Sequence, residues 1–481
     1  MNIKLLNKDK KKLETKMNQK RQLLINTIII AIGKLSTQIV SFLLLRLYTS
    51  ELTTAEYGTY DFLVTLSIFL LPNITMLMEE SMFRFLIDAE DLKSKKRVIT
   101  ATIAYTIVGT SVFTIIAAIV MGAMKYEYAL VFILFVISNV LIGLSNALAR
   151  GMGKIKLYSL SNFILGASTI ILNIVFILSF KLGVSGLLWS NTVANSATAI
   201  IVLMMLHLPL FISRKDLSKK TLSEMLRYSI PLVPNNLSWV IISLSDRLML
   251  TWMAGPDANG IYSIANKFPN IIYTFYGFFS TAWKESAAKI LKEDNKTQYY
   301  NSIYKDVKFF LKAIVLGLIV IMPFVFPLLV DPSYNDAYIY IPILIISIYY
   351  TNMSNFYGGI FTAFKNTKIM GSTTVVAAIL NITINLIFIP KFGIYAAAFS
   401  TLISNTIVFA YRRYKLREYI KLKEKFNYVF WILLVITLIT YYKNNMIVNI
   451  IMFIIVFAYC IITNKNFLKR MLEPVMKKIK G

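Results

Sequence analysis

The stretch YSIPLVPNNLSWVIISLSDRLMLTWM, residues Tyr228–Met253, decides how the chain is read. It is apolar and long enough to cross a bilayer, since about 20 residues span the hydrocarbon. Yet it carries Asn235, Asn236, Ser238, Ser243, Ser245, Asp246 and Arg247. An acid and a base inside a spanning helix are costly unless they face protein or water. The helix is therefore expected to line something wet.

The composition around it agrees. The chain is 57% apolar and 16% charged, with a mean hydropathy of +0.63, which places it among polytopic membrane proteins. A net charge of +27 would point to nucleic acid in a soluble protein. Here the cations sit between apolar runs, so a membrane-orientation signal explains them and no nucleic-acid partner is expected. The lone Cys460 and lone His207 exclude a disulfide framework and a metal cluster. Residues 1–22 are polar and basic, unlike a cleavable signal.

Fourteen apolar segments can be drawn, among them Tyr57–Met78 as the second and Phe309–Val330 as the ninth. The last two, Tyr428–Tyr441 and Ile447–Ile462, are short for a span. Pro72, Pro231, Pro234, Pro269, Pro323 and Pro342 mark expected kinks. With the amino terminus inside, 43 of the 51 Lys and Arg fall on inner connections, against Lys125, Lys181, Lys391 and Lys443 outside. Such a bias predicts an even number of spans with both termini cytoplasmic. The outer turns, such as GPDANG (255–260) and DPSYNDAY (331–338), leave no room for a catalytic domain. Glu285–Lys308 and Arg412–Lys425 read as basic interfacial helices, and the tail carries an apolar stripe from Leu468 to Ile479 suited to an anionic leaflet.

The chain repeats itself. Gly58-Thr59-Tyr60 opens the second span as Gly260-Ile261-Tyr262 opens the eighth. Gly183 and Gly393 are each followed twelve residues on by Asn195 and Asn405, and Asn173 matches Asn385 in the preceding spans. Six spans per repeat give two halves of one orientation, a design that binds substrate between the halves. The expected organisation is a basic segment (1–22), an N-lobe (23–206), a linker (207–227), a C-lobe (228–410), a second linker (411–427), two further helices (428–462) and a basic tail (463–481).

Five charges are placed within spans: Lys34 and Arg46 in the first, Asp246 and Arg247 in the seventh, Lys267 in the eighth. The first and seventh spans are repeat-related, so these charges converge on the pseudo-symmetry axis. Asn236, Ser243 and Arg247 share one helical face, and Lys34, Gln38 and Ser41 another. Four cations against one acid suit an anionic headgroup, with Arg engaging phosphate bidentately. Arg46 and Lys267 can alternatively snorkel to the interface. Asp246, read as the only carboxylate deep in a span, is the candidate proton or sodium site; its alternative is a structural ion pair between helices. No Gly-rich phosphate loop, metal spacing or Ser-His-Asp set is present, so neither catalysis nor a cofactor is expected.

Pro231-Leu-Val-Pro234, Leu244-Ser-Asp246-Arg247 and Gly260-Ile-Tyr262-Ser-Ile-Ala265-Asn-Lys267, with Glu56-Tyr57-Gly58-Thr-Tyr60 and Gly153-Lys-Ile-Lys156, resemble the polysaccharide (oligosaccharidyl-lipid) flippase family. That resemblance implies the multidrug/oligosaccharidyl-lipid/polysaccharide exporter superfamily. It implies an all-α polytopic membrane protein of about 14 transmembrane helices, with two six-helix lobes around a central cavity and two extra C-terminal helices. It implies ion-coupled alternating access in a bacterial cytoplasmic membrane, carrying an undecaprenyl-pyrophosphate-linked oligosaccharide outward, among membrane lipids and in concert with polysaccharide polymerase machinery. A peptidoglycan-precursor flippase, a multidrug cation antiporter and, outside transport, a polymerase or glycosyltransferase-type membrane enzyme are the alternatives.

Overall fold

The computed structural model describes residues 44–479, apart from residues 292, 295, 365, 367 and 424–426. Every regular element among them is helical. A bilayer offers the backbone no hydrogen-bond partners, so only segments that satisfy their own amides can cross it without closing a barrel. The chain is an all-α polytopic membrane protein. From the second drawn span to the fourteenth, each has its helix.

In order these are α1 (described over 44–51), α2 (Thr54–Thr75), α3 (Met78–Asp88), α4 (Leu92–Ala123), α5 (Ala129–Gly151), α6 (Ile155–Asn173), α7 (Gly183–Met205) and α8 (Lys219–Ser229). They continue as α9 (Leu232–Met253), α10 (Pro256–Ile290), α11 (Lys296–Leu329), α12 (Ala337–Ala363), α13 (Lys368–Phe392), α14 (Ile394–Leu416), α15 (Tyr428–Lys443) and α16 (Met446–Ile479). Nine of the described helices are long and apolar enough to cross a membrane, or ten if α2 and α3 form one bent span. α9 and α10 are absent from that set because their polar residues lower the hydropathy.

Several expectations need correction. The second span is broken: α3 turns 53° away from α2, at Met76 and Leu77, which both take left-handed backbone angles. Pro72, Pro269, Pro323 and Pro342 do lie inside helices, as drawn. The segments read as interfacial helices are largely extensions of spans, because α10 runs on to Ile290, α11 starts at Lys296 and α14 reaches Leu416. Lys312, counted with the connection between the eighth and ninth spans although the drawn ninth segment contains it, sits inside α11. Only 3% exposed, it lies over the Phe430 ring at 4.2 Å. The tail continues α16 to Ile479; the side chains of its apolar stripe lie outside the described residues.

The chain divides into two compact units. Among the described residues the first comprises residue 44 and residues 67–236. Its core gathers Met78, Met82 and Leu86 of α3, Ile99 of α4, Leu148 of α5, Val202 of α7 and Met225 of α8. The linker is thus part of this core, and Ser81 donates to the Met225 carbonyl at 3.1 Å. α4 leaves Ile107, Ile115, Ile116 and Ile119 exposed, as a lipid-facing helix does.

The second unit comprises, among the described residues, 45–66 and 237–479. α12 lies at its centre, buried along most of its length. Trp283 of α10 stacks on Phe356 at 4.5 Å and donates to its carbonyl at 2.9 Å. α15 is fastened to α12 by the stacked rings of Tyr338 and Tyr441.

Candidate substrate and ion site

Within the second unit the site is set by one helix crossing. A Cβ on Gly58 of α2 would fall 1.9 Å from the Pro256 carbonyl oxygen, and one on Gly260 of α10 1.9 Å from that of Thr54. Only glycine permits so close an approach of two backbones. Around the crossing, Asn259 donates to the Gly58 carbonyl at 2.7 Å and the Thr54 hydroxyl bonds Asp257. The Tyr334 hydroxyl bridges the carbonyls of Leu52 and Thr53 at 3.0 and 2.8 Å. Arg46 donates to the Val330 carbonyl at 2.7 Å and pairs with Asp331 at 3.4 Å.

One turn beyond Gly58, the crossing brings Asp61 against α9 and α10. Arg247 Nε donates to Asp61 Oδ2 at 2.5 Å, with both side chains largely buried, at 12% and 13% exposure. Ser263 donates to the same oxygen. Lys267, one turn further along α10, lies with its ammonium 5.9 Å from the Tyr57 ring centroid. Among the described residues the cluster therefore holds two cations and one carboxylate.

Asp246 points elsewhere, as the adjacent residue on a helix must. It is 3% exposed. Its Oδ1 accepts from Asn381 at 3.0 Å and Asn385 at 2.6 Å, both on α13. Its Oδ2 accepts from the Tyr262 hydroxyl at 2.8 Å and the Thr401 hydroxyl of α14 at 2.9 Å. A carboxylate has about four acceptor positions, and four neutral donors fill them. A second layer supports the donors: Ser245 donates to Asn381 Oδ1 at 3.0 Å and Ser400 to Asn385 Oδ1 at 2.6 Å.

The structure thus separates two residues that are neighbours in sequence. The view of Asp246 as the sole carboxylate deep in a span is corrected by Asp61, which lies inside the drawn second span and holds Arg247. Its place one turn into that span is the signal that marks it in the sequence. Asn381, Asn385 and Thr401 were also missed, because amides and hydroxyls in apolar helices are common and nothing local distinguishes these three. Asn236, in the first turns of α9, is exposed. Lys34, Gln38 and Ser41, with the side chains of Asn235, Ser238 and Ser243, lie outside the described residues.

The family model described as polysaccharide biosynthesis protein matches residues 23–283, and the MatE model matches residues 231–387. An uncharacterized membrane protein of Methanocaldococcus jannaschii is 26% identical over 302 residues, covering 57% of this chain and 68% of its own length. Among solved structures, an inward-facing multidrug resistance MATE family transporter of the MOP superfamily superposes with a TM-score of 0.65 at 16% identity, covering 79% of this chain and 95% of the other. The lipid II flippase MurJ, in an inward closed conformation, superposes with a TM-score of 0.65 at 13% identity over 92% of this chain and 100% of the other. At these identities the structural likeness concerns the fold. The family match spans more than half the length, so the chain belongs to the polysaccharide biosynthesis protein family.

Proposed function

We propose that this protein is a flippase for an undecaprenyl-pyrophosphate-linked oligosaccharide, a surface-polysaccharide repeat unit. It moves that cargo from the inner to the outer leaflet of a bacterial cytoplasmic membrane by alternating access, with both termini cytoplasmic. The observation that carries the reading is the largely buried Arg247–Asp61 pair beside Lys267 in a chain of this family. A pyrophosphate cannot take its charges through hydrocarbon, so its carrier needs sheltered cations. With no cargo bound, Asp61 offsets the cost of burying the guanidinium. Arriving pyrophosphate competes for Arg247 with a bidentate geometry that a carboxylate shared with Ser263 cannot match. Lys267, Lys34 and Asn236 add further contacts, and Arg46 fastens the outer turn through Val330 and Asp331. Release then requires the Gly58–Gly260 crossing to open. Polysaccharide polymerase machinery takes the cargo afterwards.

Coupling is assigned to Asp246. Its cage offers oxygens from Asn381, Asn385, Thr401 and Tyr262, and a half-turn of each amide would present Oδ1 where Nδ2 now points. The group can therefore take up a proton or hold a sodium ion, and either would change what the four donors bond.

The test is flipping of a labelled lipid-linked glycan in proteoliposomes. Arg247→Gln should lower the rate about 10- to 100-fold, the value of a lost charge-assisted contact, with normal protein levels; wild-type rates would sink the reading. A second cargo, peptidoglycan precursor, is favoured by the likeness to the lipid II flippase over 92% of this chain. The MatE match keeps a multidrug cation antiporter as the comparison. Offering all three cargoes to the same vesicles separates them.

A further inference from the structure

Arg412, near the cytoplasmic end of α14 in the topology proposed above, belongs to neither site. It is 1% exposed, yet forms no ion pair among the described residues. Its partners are all neutral. Nε donates to the Thr373 hydroxyl at 2.9 Å and Nη1 to the Ser354 carbonyl at 3.3 Å. Nη2 donates to the Met370 carbonyl at 3.1 Å and the Thr374 hydroxyl at 3.2 Å. These contacts use four of the five guanidinium hydrogens. Met370 and Thr373 lie in the first turns of α13, where the helix dipole is positive and adds to the cation. The C-terminal end of α14 offsets that with a partial charge of the opposite sign. A full positive charge is left in the interior, and burying an ion without a counter-charge is among the costliest things a fold can do.

Beside the guanidinium is a cavity of ≈ 20 Å³ whose polar lining is Arg412, Ser354, Asn355, Thr374, Thr351 and Asn405, with Ile242, Ala377 and Val408 as its apolar wall. Ser354 is 4% exposed and its hydroxyl has no hydrogen-bond partner among the described residues. The Asn405 amide uses one hydrogen on Ser347 at 2.9 Å, which leaves another. The lining therefore pairs a buried cation with spare neutral donors, a set that recognises an anion. A cavity of this size takes about one small occupant, which excludes phosphate and carboxylate ligands. A water would satisfy the Ser354 hydroxyl but bring no charge.

We infer that this cavity is a chloride site, in which the ion is the counter-charge of Arg412 and ties α12, α13 and α14 together. The assignment is independent of the cargo.

The test uses the full chain purified in detergent, melted in sodium chloride and in sodium gluconate at equal ionic strength. Wild type should melt about 3 °C or more higher in chloride, as expected for an ion bound to the folded state alone. Arg412→Gln should melt at the same temperature in both salts. An identical chloride shift in wild type and Arg412→Gln overturns the proposal, as does no shift in wild type. Should Arg412→Gln fail to fold, wild-type crystals grown in bromide decide: an anomalous peak between Arg412 and Ser354 supports the site, and its absence overturns it.

Discussion

Asn195 on α7 and Asn405 on α14 each stand twelve residues after a glycine with a positive φ, Gly183 at 54° and Gly393 at 51°. Each amide reaches a serine on the helix it packs against. Asn195 donates to Ser138 of α5 at 3.3 Å, and Asn405 to Ser347 of α12 at 2.9 Å. To this point the two halves are built alike. They part at the matching pair one helix earlier, where Asn173 and Asn385 are both fully buried. After Asn173 the helix opens into a π-helical turn over Ile174–Ser179. Around Asn385, α13 stays regular to Phe392, and the amide closes on Asp246. A repeated scaffold thus keeps its interhelical amide contacts while one half turns the spare amides onto a carboxylate. That difference buries the amides of Asn381 and Asn385, which bond Asp246 and, besides it, Ser400, Thr401 and each other.

The largest expected difference between the halves tests that cage. Asp246→Leu removes the acceptor for four donors and should destabilise the protein by on the order of 3–5 kcal/mol. Asn195→Leu in the first unit should cost about 1 kcal/mol, since Ser138 retains its bond to the Phe135 carbonyl. Equal losses of melting temperature in detergent would erase the distinction. Next comes the glycine crossing. Gly260→Ala drives a methyl into the Thr54 carbonyl and should cost about 1–3 kcal/mol. Gly143→Ala on α5 has open space at its Cβ, so it should be neutral or stabilising by up to about 1 kcal/mol. A Gly260→Ala protein melting like wild type would show that α2 and α10 do not need this contact.

The smallest difference lies in the turns. In the first unit the α4–α5 turn is closed by backbone bonds, Tyr126 to the Met121 carbonyl at 2.9 Å among them. The α11–α12 turn instead uses Asp331. The Ser333 amide and hydroxyl bonded to it, with Arg46, hold its carboxyl below the usual range. A depressed folded value contributes stability above the unfolded carboxylate range, about pH 4. That contribution is lost as pH falls through the folded value. Asp331→Asn should therefore melt slightly below wild type at pH 7, with the gap closing below about pH 4. A gap that stays constant down to pH 3 would remove the carboxylate charge from the turn.

The sequence by itself determined the helices, their order and the repeat that pairs Gly183 with Gly393. Those follow from sums over about 20 residues, and a sum is insensitive to what each side chain meets. It also singled out Asp246 and Arg247, because two charges in one apolar run are conspicuous wherever they point. Tertiary structure alone decided their partners. Asp61 reaches Arg247 only because Gly58 and Gly260 let α2 and α10 touch, and Asp246 is satisfied by amides and hydroxyls from α13 and α14 that look ordinary in a line of text. The same holds for Lys312 and Arg412, whose places at span ends read as cytoplasmic connections. Whether a cation at a helix end faces water or the interior depends on which neighbour covers it, and hydropathy along one chain carries no record of neighbours.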